Sequence, residues 1–109
     1  MRHETHWHRE LKAKARIWLL NKGYTMIREE ERIKNLTIDV VGIDPSDLDA
    51  IGIECGTLNQ PPWVYRRLPI KILHMALRDG VYPEDYPHQL GSCAYCMGEY
   101  KWKEKVPCV

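Results

Sequence analysis

The chain has 109 residues, of which 28% are charged and 44% hydrophobic, with a formal net charge of +1 and a mean hydropathy of −0.48. That length makes one domain with a single core. The near-neutral balance excludes a globally basic coat on DNA, and no apolar stretch is long enough to span a bilayer or act as a leader, so no membrane partner and a cytoplasmic location are expected.

Charge is uneven along the chain: residues 37 to 65 hold five acids and no Lys or Arg, while both flanks are more basic than acidic. An acidic centre between basic flanks suits a metal site beside a polyanion, and suits equally a solvated loop beside ordinary helices.

In chain order, Trp7, Leu11, Ala15 and Trp18 recur at helical spacing and Gly23 follows as a C-terminal cap, predicting a helix over Thr5 to Asn21. "YTMIREEERI" and "LTIDVVGI" are rich in β-branched residues and predict two strands joined at Lys34 and Asn35. "DPSD", Asp44 to Asp47, is a turn, and "LDAIGIEC" a third strand, completing a meander. Pro61 and Pro62 open a short helix over "WVYRRL", Pro69 stops it, and "IKILHMAL" is a fourth strand. These elements set a core over residues 1–80; residues 81–109 are expected to be an irregular cysteine-containing extension packed on it.

Two carboxylates sit where apolar residues would pack more easily: Asp39 in the second strand and Glu54 in the third. With Asp39 sharing a face with Thr37 and Val41, and Glu54 with Ala50 and Gly52, adjacent antiparallel strands point both acids the same way. Such a pair repels unless a cation lies between, and hard oxygen ligands suit Mg²⁺. The plainer alternative is that Asp39 accepts a hydrogen bond inside the sheet and Glu54 ends a strand.

With "IDVVGID" followed across a short turn by "AIGIECG", the chain resembles the PD-(D/E)XK nuclease-like superfamily over roughly Thr5 to Leu77. The resemblance implies an α/β fold with a restriction-endonuclease-like core of helix, three-strand meander, helix and strand. It also implies a Mg- or Mn-dependent nuclease acting on nucleic acid, with DNA as the expected partner. Asp39 matches the family's first acid, Glu54 opens its acid-x-Lys signature, and Gly56 stands at the lysine position. Glu10 corresponds best to the family's helix acid, though it equally suits a solvated pair with Lys14. Gln60 and Tyr65 resemble its Gln-x-x-x-Tyr element at a spacing one residue longer.

On this reading Asp39, Glu54 and the backbone carbonyl of Cys55 hold the ion, and Lys12, Lys14 or Lys71 supplies the missing cation. Trp63 with Arg66 and Arg67 fits contact with a nucleic-acid strand, or else Trp63 is core. So small a domain covers little nucleic acid alone, and a homodimer is expected. A catalytically inactive nuclease-fold module binding DNA or a protein partner is the alternative.

The cysteines open another site. Cys93 and Cys96 have zinc-knuckle spacing, with Cys108 and His88 able to complete four ligands; a disulfide to Cys108 and free thiols are the rivals. A structural zinc-binding adaptor would use this tail. His3, His6 and His8 crowd the N-terminus, where a frayed, solvated segment is expected, and Glu29 to Glu31 are expected to lie mostly at the surface.

Overall fold

A computed structural model of the chain describes residues 6–56, 58, 60–78, 82–83 and 86–90. Its first element is helix α1 (His6–Asn21). The buried residues Leu11, Ala15 and Leu19 fall on one stripe, as a 3.6-residue period requires. The helix stops where Gly23, at φ 95°, donates to the Leu20 carbonyl and Tyr24 donates to that of Leu19. That paired closure satisfies the last carbonyls and turns the chain back onto its own helix.

Strands β1 (Met26–Ile33), β2 (Leu36–Ile43) and β3 (Ala50–Cys55) form the expected antiparallel meander. Between β2 and β3 the Asp44 carboxylate accepts from the Ser46 N–H at 2.9 Å and its hydroxyl at 2.8 Å, an Asx turn that Pro45 presets. Those bonds hold the Asp44 carboxyl below its usual range. After β3 comes the single-turn helix α2 (Pro62–Tyr65), with proline at its first position, and then β4 (Lys71–Met75), which runs parallel to β3. A parallel neighbour demands such a crossover, because a tight hairpin would return the strand antiparallel.

The chain beyond residue 80 is not wholly irregular. β7 (His88–Gln89) pairs antiparallel with β4 and completes a five-stranded sheet ordered β1-β2-β3-β4-β7. β5 (Leu77–Arg78) and β6 (Tyr82–Pro83) form a separate two-stranded ladder. Cys93, Cys96 and Cys108 lie outside the described residues.

Each face of the sheet carries a core. On one, α1 lays Leu11, Ala15 and Leu19 on Val40, Ile53, Cys55, Leu73 and Met75. On the other, Tyr65, Leu58 and Leu90 cover Ile38, Val41 and Ile72. β1 is an edge strand whose "REEER" run is largely exposed, and a charged edge resists pairing with another chain. Among the described residues no helix is long and apolar enough to cross a membrane.

Candidate functional site

Regular pairing fails at one place in the sheet, and both singled-out acids are there. The β2–β3 register runs from Ile43↔Ala50 to Val40↔Ile53 and stops; the next rung would set Asp39 opposite Glu54. On the other side of β2, pairing with β1 skips Asp39 and Glu30, and Glu30 takes a left-handed φ of 52°. Ile38 packs in the α2-side core and Val40 in the α1-side core, although residues two apart on a regular strand share a face. Side-chain alternation therefore breaks at Asp39.

Carboxylates fill the opening that results. The Asp39 N–H donates to Glu54 Oε1 at 2.8 Å, and the Cys55 N–H donates to Asp39 Oδ2 at 2.8 Å, so each acid caps a backbone donor of the other strand's break. The Tyr65 hydroxyl donates to Glu54 Oε2 at 3.0 Å from the α2 side. From the α1 side, His8 Nε2 stands 3.4 Å from Asp39 Oδ2. The expectation of two acids side by side on one face is thus corrected: they meet across the opened ladder, one flanked by each helix.

Both are deeply buried, Asp39 at 5% and Glu54 at 4% exposure. Burial, and then repulsion from Asp39, push the Glu54 carboxyl up to about 8, and a hydrogen bond between the two acids helps keep the proton. Glu54 is therefore largely protonated at neutral pH. The proton does between these acids what a cation would do. Burial likewise pushes the Cys55 thiol up, and that side chain packs in the α1-side core as a small hydrophobe.

The acids continue into a polar row across the sheet. Glu54 is the register partner of His74, and His74 of His88, which places the three on one rung of neighbouring strands. The fully buried His74 pairs its Nε2 with the Gly56 carbonyl, so that nitrogen carries the proton, and its ring meets the His88 ring edge-on at 4.9 Å. His88, expected as a zinc ligand, is thus held against His74 in the sheet.

Of the other expected residues, Tyr65 joins the site through its hydroxyl, whereas Gln60 is exposed. Glu10 points away on the exposed side of α1, 3.8 Å from His6 rather than paired with Lys14. Among the three candidate lysines, Lys71 is exposed at the far end of β4 and Lys14 lines a recess beside Trp18. Lys12 is buried, one turn from His8 on the face of α1 that meets the sheet. Its ammonium lies 3.1 Å from Glu29 and 3.2 Å from Glu30, and Arg16 adds a 3.0 Å contact to Glu29. The left-handed Glu30 lets two consecutive glutamates reach one lysine, so this acidic run, mostly at the surface as expected, is also tied to α1. His8, Lys12 and His74 were the residues that sequence reasoning missed or left unranked. The spacing 8, 11, 12, 15, 19 was the available signal for the first two, since it is one helical stripe.

Among the described residues no group of three His, Cys, Asp or Glu side chains is arranged to hold a metal ion. No known protein family matches the chain, and neither does any curated protein or solved structure.

Proposed function

We propose that the protein is a nuclease-like domain that acts on nucleic acid phosphodiester bonds, DNA foremost, with a Mg²⁺ or Mn²⁺ ion held by Asp39 and Glu54. The observation carrying this reading is the buried acid pair at the break between β2 and β3, on a helix, meander, short helix and parallel-strand scaffold. Two carboxylates driven together in a core are costly unless a proton or a cation neutralises them, and such perturbed groups concentrate at functional sites. The donor set fits a hard ion: two carboxylates, with the Cys55 carbonyl as a third oxygen.

Each residue's task follows from its contacts. Tyr65 orients Glu54, and His8 lies within reach of Asp39 as a proton acceptor or donor. Lys12, fixed in place by its ion pairs with Glu29 and Glu30, is the cation offered in place of the lysine absent at position 56. A bound ion would polarise the phosphate and lower the pKa of a water. Incubation of single-stranded, duplex and branched DNA with either ion should give slow cleavage, faster with the less exacting Mn²⁺. Asp39→Ala and Glu54→Ala should abolish it, and Lys12→Met should slow it about a hundredfold while melting stays cooperative.

A second reading has its own observation. Both carboxylates already accept strand N–H groups, as purely structural braces would, and position 56 is glycine. A parent protein that binds one of these DNAs yet cleaves none with either ion is a catalytically inactive nuclease-fold binding module.

A further inference from the structure

The turn between β2 and β3 holds a leucine that local physics disfavours twice over. Leu48 takes a left-handed φ of 63°, a conformation that glycine or asparagine adopts at lower cost, and it is 73% exposed. The turn's own bonds keep it there: the Leu48 N–H donates to the Asp44 carbonyl and the Asp44 N–H to the Asp49 carbonyl, each at 2.8 Å. A strained position that carries an exposed apolar side chain implies a use outside the fold.

Leu48 stands on the rim of a recess of about 480 Å³ at the end of the sheet where β3 and β4 begin. Ile51, Pro69, Ile70 and the Tyr24 ring give it an apolar wall. Ile51 and Lys71 are register partners, so Lys71 projects on the face of Ile51, the face against which Tyr24 also packs. Lys71 is thus the basic bank of the recess, exposed and outside every ion pair among the described residues. The opposite bank is acidic. Asp49 lines the recess, and Asp44 and Asp47 lie close enough to the Tyr24 hydroxyl to help hold its proton. Each of these carboxylates uses one oxygen within the molecule: Asp44 toward Ser46, Asp47 toward the Asp49 N–H at 2.9 Å, Asp49 toward the Tyr24 hydroxyl at 2.7 Å. A carboxylate accepts on both oxygens, so each can still meet a cation from outside.

An apolar knob beside an apolar hollow, with acid on one bank and a base on the other, is a self-complementary surface, which a two-fold contact requires. We propose that this face joins two copies of the chain: Leu48 of each copy enters the recess of the other, and Lys71 of each meets the acidic turn of the other. A partner of uniform charge is repelled at one bank, whereas a second copy turned about a two-fold axis is attracted at both. Asp39 and Glu54 lie at the opposite end of the β2–β3 ladder, so the pairing leaves both acid pairs uncovered. The inference therefore does not depend on nuclease chemistry.

The test is sedimentation equilibrium of the full chain up to about 200 µM, with EDTA and a thiol reductant so that neither a metal nor a disulfide bridges chains. A reversible dimer is expected. Leu48→Asn suits the left-handed backbone and removes the knob; it should weaken the dimer at least about tenfold without lowering the urea midpoint of the monomer. Lys71→Glu and Asp47→Lys, each of which sets like charges together across the axis, should each weaken it by a similar factor. Mixed, these two charge variants should form a heterodimer near the parent's affinity, because both crossings then join opposite charges again. Lys34→Gln, in the β1–β2 turn, should dimerise as the parent does. A parent that stays monomeric throughout overturns the proposal and leaves the recess to a segment of another protein. A dimer that Leu48→Asn and Lys71→Glu do not weaken overturns this face as its contact. Loss in the single variants with no recovery between the two folded charge variants overturns the crossed arrangement. If Asp47→Lys does not fold, Leu48→Asn and Lys71→Glu, both at exposed positions, still decide.

Discussion

A carboxyl group that burial and a neighbouring acid hold protonated loses its proton to a competing cation. Loading of Mn²⁺ at Asp39 and Glu54 is therefore expected to release close to one proton per chain below pH 8, where Glu54 is protonated. Affinity should rise by up to about tenfold per pH unit until about pH 8 and then level, because above it there is no proton left to displace. Calorimetry in two buffers of different ionisation enthalpy measures the release directly; heats that do not depend on the buffer would place the ion elsewhere. Gly56 belongs to the same chemistry. Its φ of 83° lies where any side chain is strained by about 1–2 kcal/mol, so a lysine there would need a different backbone as well. The two acids were legible because a charge inside an apolar run has no cheap explanation. His8 and Lys12 were not, since a histidine near a terminus and a lysine on a helix have ordinary solvated explanations until the helix is seen lying on the sheet.

At the scale of elements, the contact between α1 and β2 depends on a missing side chain. A Cβ on Gly42 would come within 2.9 Å of both Leu19 Cδ2 and Tyr24 Cβ, so the helix and its capping turn sit directly on the strand. The leucine methyl can turn aside, but Tyr24 is held by the capping bonds and by its hydroxyl on Asp49 at 2.7 Å. Gly42→Ala should destabilise the fold by about 1–3 kcal/mol, seen as a lower urea midpoint with an unchanged slope. A neutral result would mean that α1 can shift off the sheet without loss. The meander was legible because β-branched runs and turn residues are local signals. The break at Asp39 was not, since an alternating pattern carries no mark of where a ladder opens, and β7 is only two residues long. Nothing within "PHQL" distinguishes a sheet edge from a loop until β4 stands beside it.

For the whole molecule, the protonated Glu54 couples folding to pH. In the unfolded chain this carboxyl titrates near 4.5 and in the folded one near 8, so between those values the folded state holds more protons than the unfolded. Stability must then fall as pH rises across that window, by up to about 1.4 kcal/mol per pH unit, and this group adds no slope below or above it. Asp44 titrates below the window, and Tyr24, raised by its bond to Asp49, above it. Glu54→Gln is uncharged at every pH and keeps the oxygen that accepts from Tyr65 or from the Asp39 N–H. Urea unfolding of parent and variant should give similar stabilities near pH 5 and a growing advantage for the variant toward pH 8. Subtracting one curve from the other removes the contribution of every group that titrates alike in both. Adding Mn²⁺ should restore the parent at the alkaline end, because a ligand bound only by the folded state stabilises it by mass action, and should do far less for the variant. Parallel curves for the two proteins would show that Glu54 is ionised in the folded state, and that Asp39 and Glu54 are not a pair waiting for a cation.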